Sequence, residues 1–177
     1  MSMPRQLRIM LARILLSRWS IVAFNVLTAM PLTLSLFEIG SLLWGTGLGR
    51  HESIAEAGHI AEGMGVVLIG WGVVLEERPG VSHLLGGLPS EDADYETALD
   101  AVCHQSGLGF LVLGLLAEIL IQCVEVPDHI INTDGIERVV MTGSAGILLL
   151  GLALLLRHTI SLVFFETSRT VVFPASR

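Results

Sequence analysis

Apolar residues along this chain gather into four long runs separated by short polar stretches, and each run has a helical rhythm. The most informative is Leu99 to Glu125. Asp100, His104, Gly107, Leu111, Gly114, Glu118, Gln122 and Glu125 recur there in steps of three and four. At about 100° per residue these positions share one helix face, within roughly 40° of its centre line. The other positions are overwhelmingly apolar, and about 20 such residues at a rise of 1.5 Å cross a bilayer. The run reads as a membrane helix with one polar, glycine-lined face, on which the ionisable Glu118 must turn away from lipid.

Glu56 to Glu77 repeats the pattern. Glu52, Glu56, His59, Gly63, Val66, Gly70 and Glu77 share one face, and Gly58, Gly65 and Gly72 run down the opposite one at seven-residue spacing. Small residues so spaced let helix backbones approach closely in lipid. A helix with two such stripes is expected to pack on both sides and to sit centrally.

Trp19 to Trp44 is bracketed by interface-seeking tryptophans. Pro31 predicts a kink whose freed backbone groups neighbouring helices re-satisfy, and Ser35, Glu38 and Ser41 cluster near its outer end. In Val139 to Leu156, Ser144 and Gly151 repeat the small-residue spacing. Arg157 and His158 follow, and the ISLVFF segment beyond them either prolongs the helix or lies in the interface. The fold class is therefore an all-α integral membrane bundle of four transmembrane helices, with spans of about 19–44, 56–77, 101–124 and 139–158 inside a domain 19–166.

The connections are short. Residues 1–18 carry Arg5, Arg8, Arg13 and Arg18 among Leu, Ile and Met and read as a basic interfacial helix leading into an uncleaved first span. ERPG, from Glu77 to Gly80, and then GGLPSEDADYE end the second helix. Ser90 resembles an N-cap for the third, and Glu91, Asp92, Asp94 and Glu96 form a solvated acidic run. VPDHIINTDGIER reads as a turn rather than a calcium loop, because Ile130 and Met141 occupy the first and last ligand positions. Residues 167–177 form a tail.

Composition supports the membrane reading: 52% of the 177 residues are hydrophobic and 15% charged, with mean hydropathy +0.71, where soluble domains carry about 25% charged residues. The net charge of −7 has to be read loop by loop. Lysine is absent, and arginine placement sets the orientation. With the N-terminus inside, the inner segments hold Arg5, Arg8, Arg13, Arg18, Arg78, Arg157, Arg169 and Arg177, and the outer loops hold Arg50 and Arg138. The positive-inside rule then places both termini in the cytoplasm, in a cell (inner) membrane. Cys103 and Cys123 lie about 30 Å apart along one helix, too far to bridge within a chain.

Spans two and three run antiparallel, so residues at equal depth have a constant sum. A value near 181 sets Leu111 opposite Gly70, Val74 opposite Gly107 and Glu118 opposite Gly63. An outer group then comprises Glu38, Glu56, His59, Glu62, Glu118, Gln122 and Glu125, with His51, Asp128 and His129 above it. Five carboxylates around one intramembrane histidine cannot all stay ionised unless a cation compensates them. Glu56-x-x-His59 is the unit that di-metal helix bundles use, with Glu38, Glu118 and Glu125 as candidate co-ligands for a transition-metal ion. The second Glu-x-x-His of such a site is lacking, because Ile121 follows Glu118 at that spacing, and the plainer expectation is that these groups hydrogen-bond to one another and fix helix register.

An inner group comprises Glu77, Asp100, His104, Arg157 and His158. Spans three and four have sums near 263, which brings His104 and His158 to similar depth, as two axial ligands of a haem b require. An ion-pair network among these residues is the plainer expectation. No phosphate-cradling loop, nucleophile elbow or basic aromatic patch for nucleic acid is present in the sequence.

Three functions follow as expectations. The first is a non-catalytic anchor, accessory or assembly subunit of a membrane complex, associating with other membrane subunits or with itself and holding a haem or metal if any. The second is a proton- or cation-translocating protein using the Glu/His stripe. The third is a membrane metalloenzyme with its site in the outer group.

Overall fold

The computed structural model describes residues 14, 16–44, 50–84, 93–125 and 136–164, with backbone alone at 50–53, 83–84, 93–94 and 125. They form five helices: α1 (Arg18–Trp44), α2 (Arg50–Glu76), α3 (Arg78–Leu84), α4 (Ala93–Glu125) and α5 (Glu137–Val163). Four are long and apolar enough to cross a membrane, over Arg18–Trp44, Ile54–Glu76, Tyr95–Val124 and Glu137–Val163. The described residues contain no strand. The all-helical, four-span architecture is therefore as expected, and helix α5 continues through the first part of ISLVFF. The basic segment up to residue 13, Ser90 with Glu91 and Asp92, the 126–135 connection and the 167–177 tail lie outside the described residues.

Local chemistry explains the helix ends. Ser17 caps α1, its Oγ accepting from the Ser20 amide at 3.2 Å. Helix α1 then runs unbroken through Pro31, and the Thr33 hydroxyl beside it donates to the Ala29 carbonyl at 2.7 Å. Between α2 and α3 the chain turns at Glu77, whose amide donates to the Val73 carbonyl at 2.9 Å and whose carbonyl accepts from Val81 at 2.8 Å. Pro79 falls in the first turn of α3, where a missing N–H costs little. ERPG thus interrupts the helical path instead of ending it.

Helix α2 lies against α1, α4 and α5, and α5 also contacts α1 and α4. The α2–α4 seam is made by glycines. A Cβ built on Gly72 would lie 2.6 Å from the Gly107 carbonyl oxygen, and one on Gly114 would lie 2.7 Å from the Gly65 carbonyl oxygen. The α2–α5 contact sets Gly151 against Leu68, with Cδ1 2.7 Å from the built Cβ. Large side chains fill the remaining core, Phe110, Leu68, Leu148 and Leu155 among them.

The partner numbers at the α2–α4 seam sum to 179–183, so the register near 181 holds. The face of α2 does not. Gly63 and Gly70, expected to meet α4, are exposed, and so are Glu56, His59 and Val66. The Gly58, Gly65, Gly72 stripe faces inward instead. The physical reason is mutual closeness: glycine against glycine brings backbones nearer than leucine against glycine.

Candidate functional site: three buried polar clusters

Three side chains on three helices form a chain of hydrogen bonds within the bundle. Asn25 on α1 accepts from the Trp71 indole N–H of α2 at 2.8 Å, and its amide nitrogen lies 3.1 Å from His158 Nδ1 on α5. An indole nitrogen can only donate, which fixes the amide: Oδ1 toward Trp71, Nδ2 toward His158. His158 Nδ1 must then accept, so the ring proton sits on Nε2. His158 is 2% exposed, with its edge against Phe110 at 6.2 Å between ring centroids. Its Nε2 is buried without a hydrogen-bond partner among the described residues. Such a donor costs about 1–3 kcal/mol.

At the same end of the bundle, Arg78 ties three segments together. Its side chain is 3% exposed and its Nη2 lies 2.7 Å from Glu96 Oε2, while Nη1 donates to Asp100. Nε and Nη2 also donate to the Leu16 carbonyl, at 3.1 and 3.0 Å. Burial by itself would lower the Arg78 pKa. The Glu96 hydrogen bond and the charges of Asp100 and Glu96 outweigh it, and the net shift is upward.

Glu118 belongs to a third locus. Its Oε2 lies 3.6 Å from a Cβ built on Gly65, a residue eleven positions from each end of the Ile54–Glu76 span. Gln122 donates to Glu118 Oε1 at 3.3 Å, whereas Oε2 is buried without a hydrogen-bond partner among the described residues. Glu118 therefore turns inward, against a helix backbone.

The other residues singled out in the sequence are dispersed. Glu38, Glu56 and His59 are exposed, His59 Nδ1 lies 3.8 Å from Glu62 one turn on, and the Glu125 side chain, with His51, Asp128 and His129, is outside the described set. Among the described residues no three His, Cys, Asp or Glu side chains gather as a metal site would require. The α4–α5 register is as expected, since Ser144 donates to the Ala117 carbonyl at 3.4 Å and Gly109 faces Leu154. His104, however, is exposed, and Phe110, on another side of α4, meets His158. Depth matches and azimuth does not. Asp100 pairs with Arg78, while Glu77 and Arg157 are exposed.

Sequence reasoning passed over Asn25 and Trp71 and gave Arg78 only a topological role. A signal for the first cluster was present. Ser144, Gly151 and His158 recur every seven residues, and the buried stripe of α5 follows that spacing. On α1, Asn25 lies on the stripe of Ile21, Leu32 and Ile39. Comparison with family models, curated proteins and solved structures finds no match.

Proposed function

We propose that this chain is a non-catalytic anchor or assembly subunit of a larger membrane complex, seated in a cell (inner) membrane with both termini in the cytoplasm. One observation carries the reading. Helix α2 closes against α1, α4 and α5 with one side and turns Glu56, His59, Gly63 and Gly70 outward from the bundle. Ionisable side chains are costly to leave against lipid, open glycines let another helix approach closely, and a neighbouring helix would meet both. The arginine distribution supports the orientation, with Arg18, Arg78 and Arg157 at one end of the spans and Arg138 at the other.

The test is the mass of the protein extracted from its own membrane in mild detergent, with the optical spectrum and metal content of the same sample reading out any haem or transition metal. A particle heavier than the 19.0 kDa chain and its detergent supports the reading. A monodisperse monomer contradicts it.

Proton or cation passage is the second reading, favoured by Glu118 Oε2, which is buried at mid-span without a hydrogen-bond partner among the described residues. Flux into liposomes that disappears with Glu118→Gln would support it.

A further inference from the structure

We infer that the bundle core holds one buried water, bridging His158 Nε2 on α5 to the Cys103 thiol on α4. The direction of the hydrogen bonds carries the argument. Trp71 donates to Asn25 Oδ1 at 2.8 Å, and Asn25 Nδ2 in turn donates to His158 Nδ1 at 3.1 Å. Every donor therefore points the same way, from α2 through α1 to α5, and the series ends on the Nε2 proton. Aligned hydrogen bonds polarise one another, which strengthens that last donor. It meets no acceptor among the described residues, and His158 is 2% exposed.

This polarity decides what can sit beside the ring. A metal or haem iron needs the Nε2 lone pair, which is available only when Nδ1 carries the proton. That proton would face the Asn25 NH2 group, and turning the amide over would set the NH2 against the Trp71 N–H. The series therefore calls for an oxygen acceptor. On α4 the buried stripe beside His158 is Cys103, Phe110 and Ala117, seven apart and each 0% exposed. Phe110 covers one edge of the imidazole. Cys103 lies at its depth: residue numbers 103 and 158 sum to 261, as do 117 and 144 across the Ser144 hydrogen bond. Its side chain is small, and its thiol is buried and unbridged. A water there accepts from Nε2–H and donates to Sγ, as buried waters do between polar groups that the chain leaves unmatched. Enclosure this complete leaves no entrance for a larger carbonyl compound. The charges of Arg78, Asp100 and Glu96 also act on Cys103, so the water joins the Arg78 cluster to the Asn25 cluster.

The test is NMR of the full chain in lipid bilayers, with nitrogen-15 at histidine and the His158 signal assigned by its loss in His158→Phe. The expected spectrum shows His158 protonated at Nε2 alone, with a cross-peak from that proton to bound water. A proton on Nδ1 instead, an Nε2 proton with no water cross-peak, or a cross-peak to a bound compound other than water overturns the proposal. All three are read on the wild-type chain. Two variants then test the placement at the thiol. Cys103→Leu, which fills the site, should abolish the water cross-peak, and its survival in the folded variant contradicts the bridge. Cys103→Ser keeps a small polar group, so it should retain the cross-peak and shift the Nε2 proton. An unshifted proton overturns the bridge even where Cys103→Leu does not fold.

Discussion

Gly72 and Gly107 face each other so closely that a Cβ on either would lie 2.6 Å from the other's carbonyl oxygen. The contact is reciprocal: the Cβ position of each glycine falls on the carbonyl oxygen of the other. Small residues at helix interfaces allow backbones to approach this closely in lipid. Seven residues away on each helix, Gly65 and Gly114 repeat the arrangement. The α2–α4 seam is thus held by backbone proximity, and the polar residues arrange themselves around it.

Asn25→Leu should destabilise the fold by about 1–3 kcal/mol, because it leaves His158 Nδ1 buried without a partner and takes the acceptor from the partly buried Trp71 N–H. His158→Phe should cost less. It removes the unpartnered Nε2 along with the ring's polar atoms, leaving the Asn25 amide as the one group short of a partner. Unfolding in mixed detergent micelles measures both.

Arg78→Leu should cost about 1.5–3 kcal/mol, the range for hydrogen bonds to charged groups. The loss stays below that of a fully buried pair, because the side chains of Glu96 and Asp100 are 31% and 29% exposed. Arg78→Lys should not restore it, since a single ammonium nitrogen cannot stand where Nε, Nη1 and Nη2 reach Leu16, Asp100 and Glu96 from three separate positions. The pH dependence has a definite sign. A base whose pKa is raised on folding contributes fully below its unfolded pKa and loses the contribution only as pH rises through the folded value. The wild-type-minus-Arg78→Leu stability difference should therefore be flat from neutral into moderately alkaline pH, as unfolding at a series of pH values would record.

Glu118→Gln should leave stability close to wild type. Glu118 Oε2 is buried without a hydrogen-bond partner among the described residues, so replacing that oxygen forfeits no contact of its own, and Oε1 keeps its Gln122 donor. Under the subunit reading, proton flux into liposomes should be the same for both proteins. Lower flux in the variant would favour translocation.

A water-soluble maleimide should label Cys123 and spare Cys103 in the folded protein. Cys123 is exposed and Cys103 buried, and Cys123 lies one residue from the end of the Tyr95–Val124 span. Mass spectrometry should find one adduct per chain, and a second only after unfolding.

Much of this architecture was legible in the chain, because bilayer thickness leaves few choices for runs of this length and composition. The α2–α4 and α4–α5 registers were also legible, since glycine positions dictate where backbones can approach. The face of α2 was not. Its two glycine stripes, Gly63/Gly70 and Gly65/Gly72, offer α4 surfaces of similar smoothness, and the polar residues on the first made it look like the interior. In lipid no hydrophobic force draws helices together, so the polar stripe was a poor guide to the packed side. Arg78 escaped notice for a different reason: its partners come from the residues before α1 and the first turns of α4, far away in sequence. The candidate metal and haem ligands shared depth or spacing, but periodicity alone did not reveal that His104 and His158 point from α4 and α5 in unrelated directions.

The sharpest measurement compares Gly70→Leu with Gly72→Leu, each alone, by unfolding in mixed micelles dilute enough to keep chains apart. These residues sit two positions apart on one helix and differ in what lies beyond them: nothing within 4 Å of a Cβ on Gly70 among the described residues, and backbone at 2.6 Å for Gly72. Overpacking that side chains cannot relieve should cost Gly72→Leu at least about 1–3 kcal/mol, while Gly70→Leu keeps the wild-type midpoint. Wild-type stability in Gly72→Leu, or its loss in Gly70→Leu, would contradict the packing on which everything above depends.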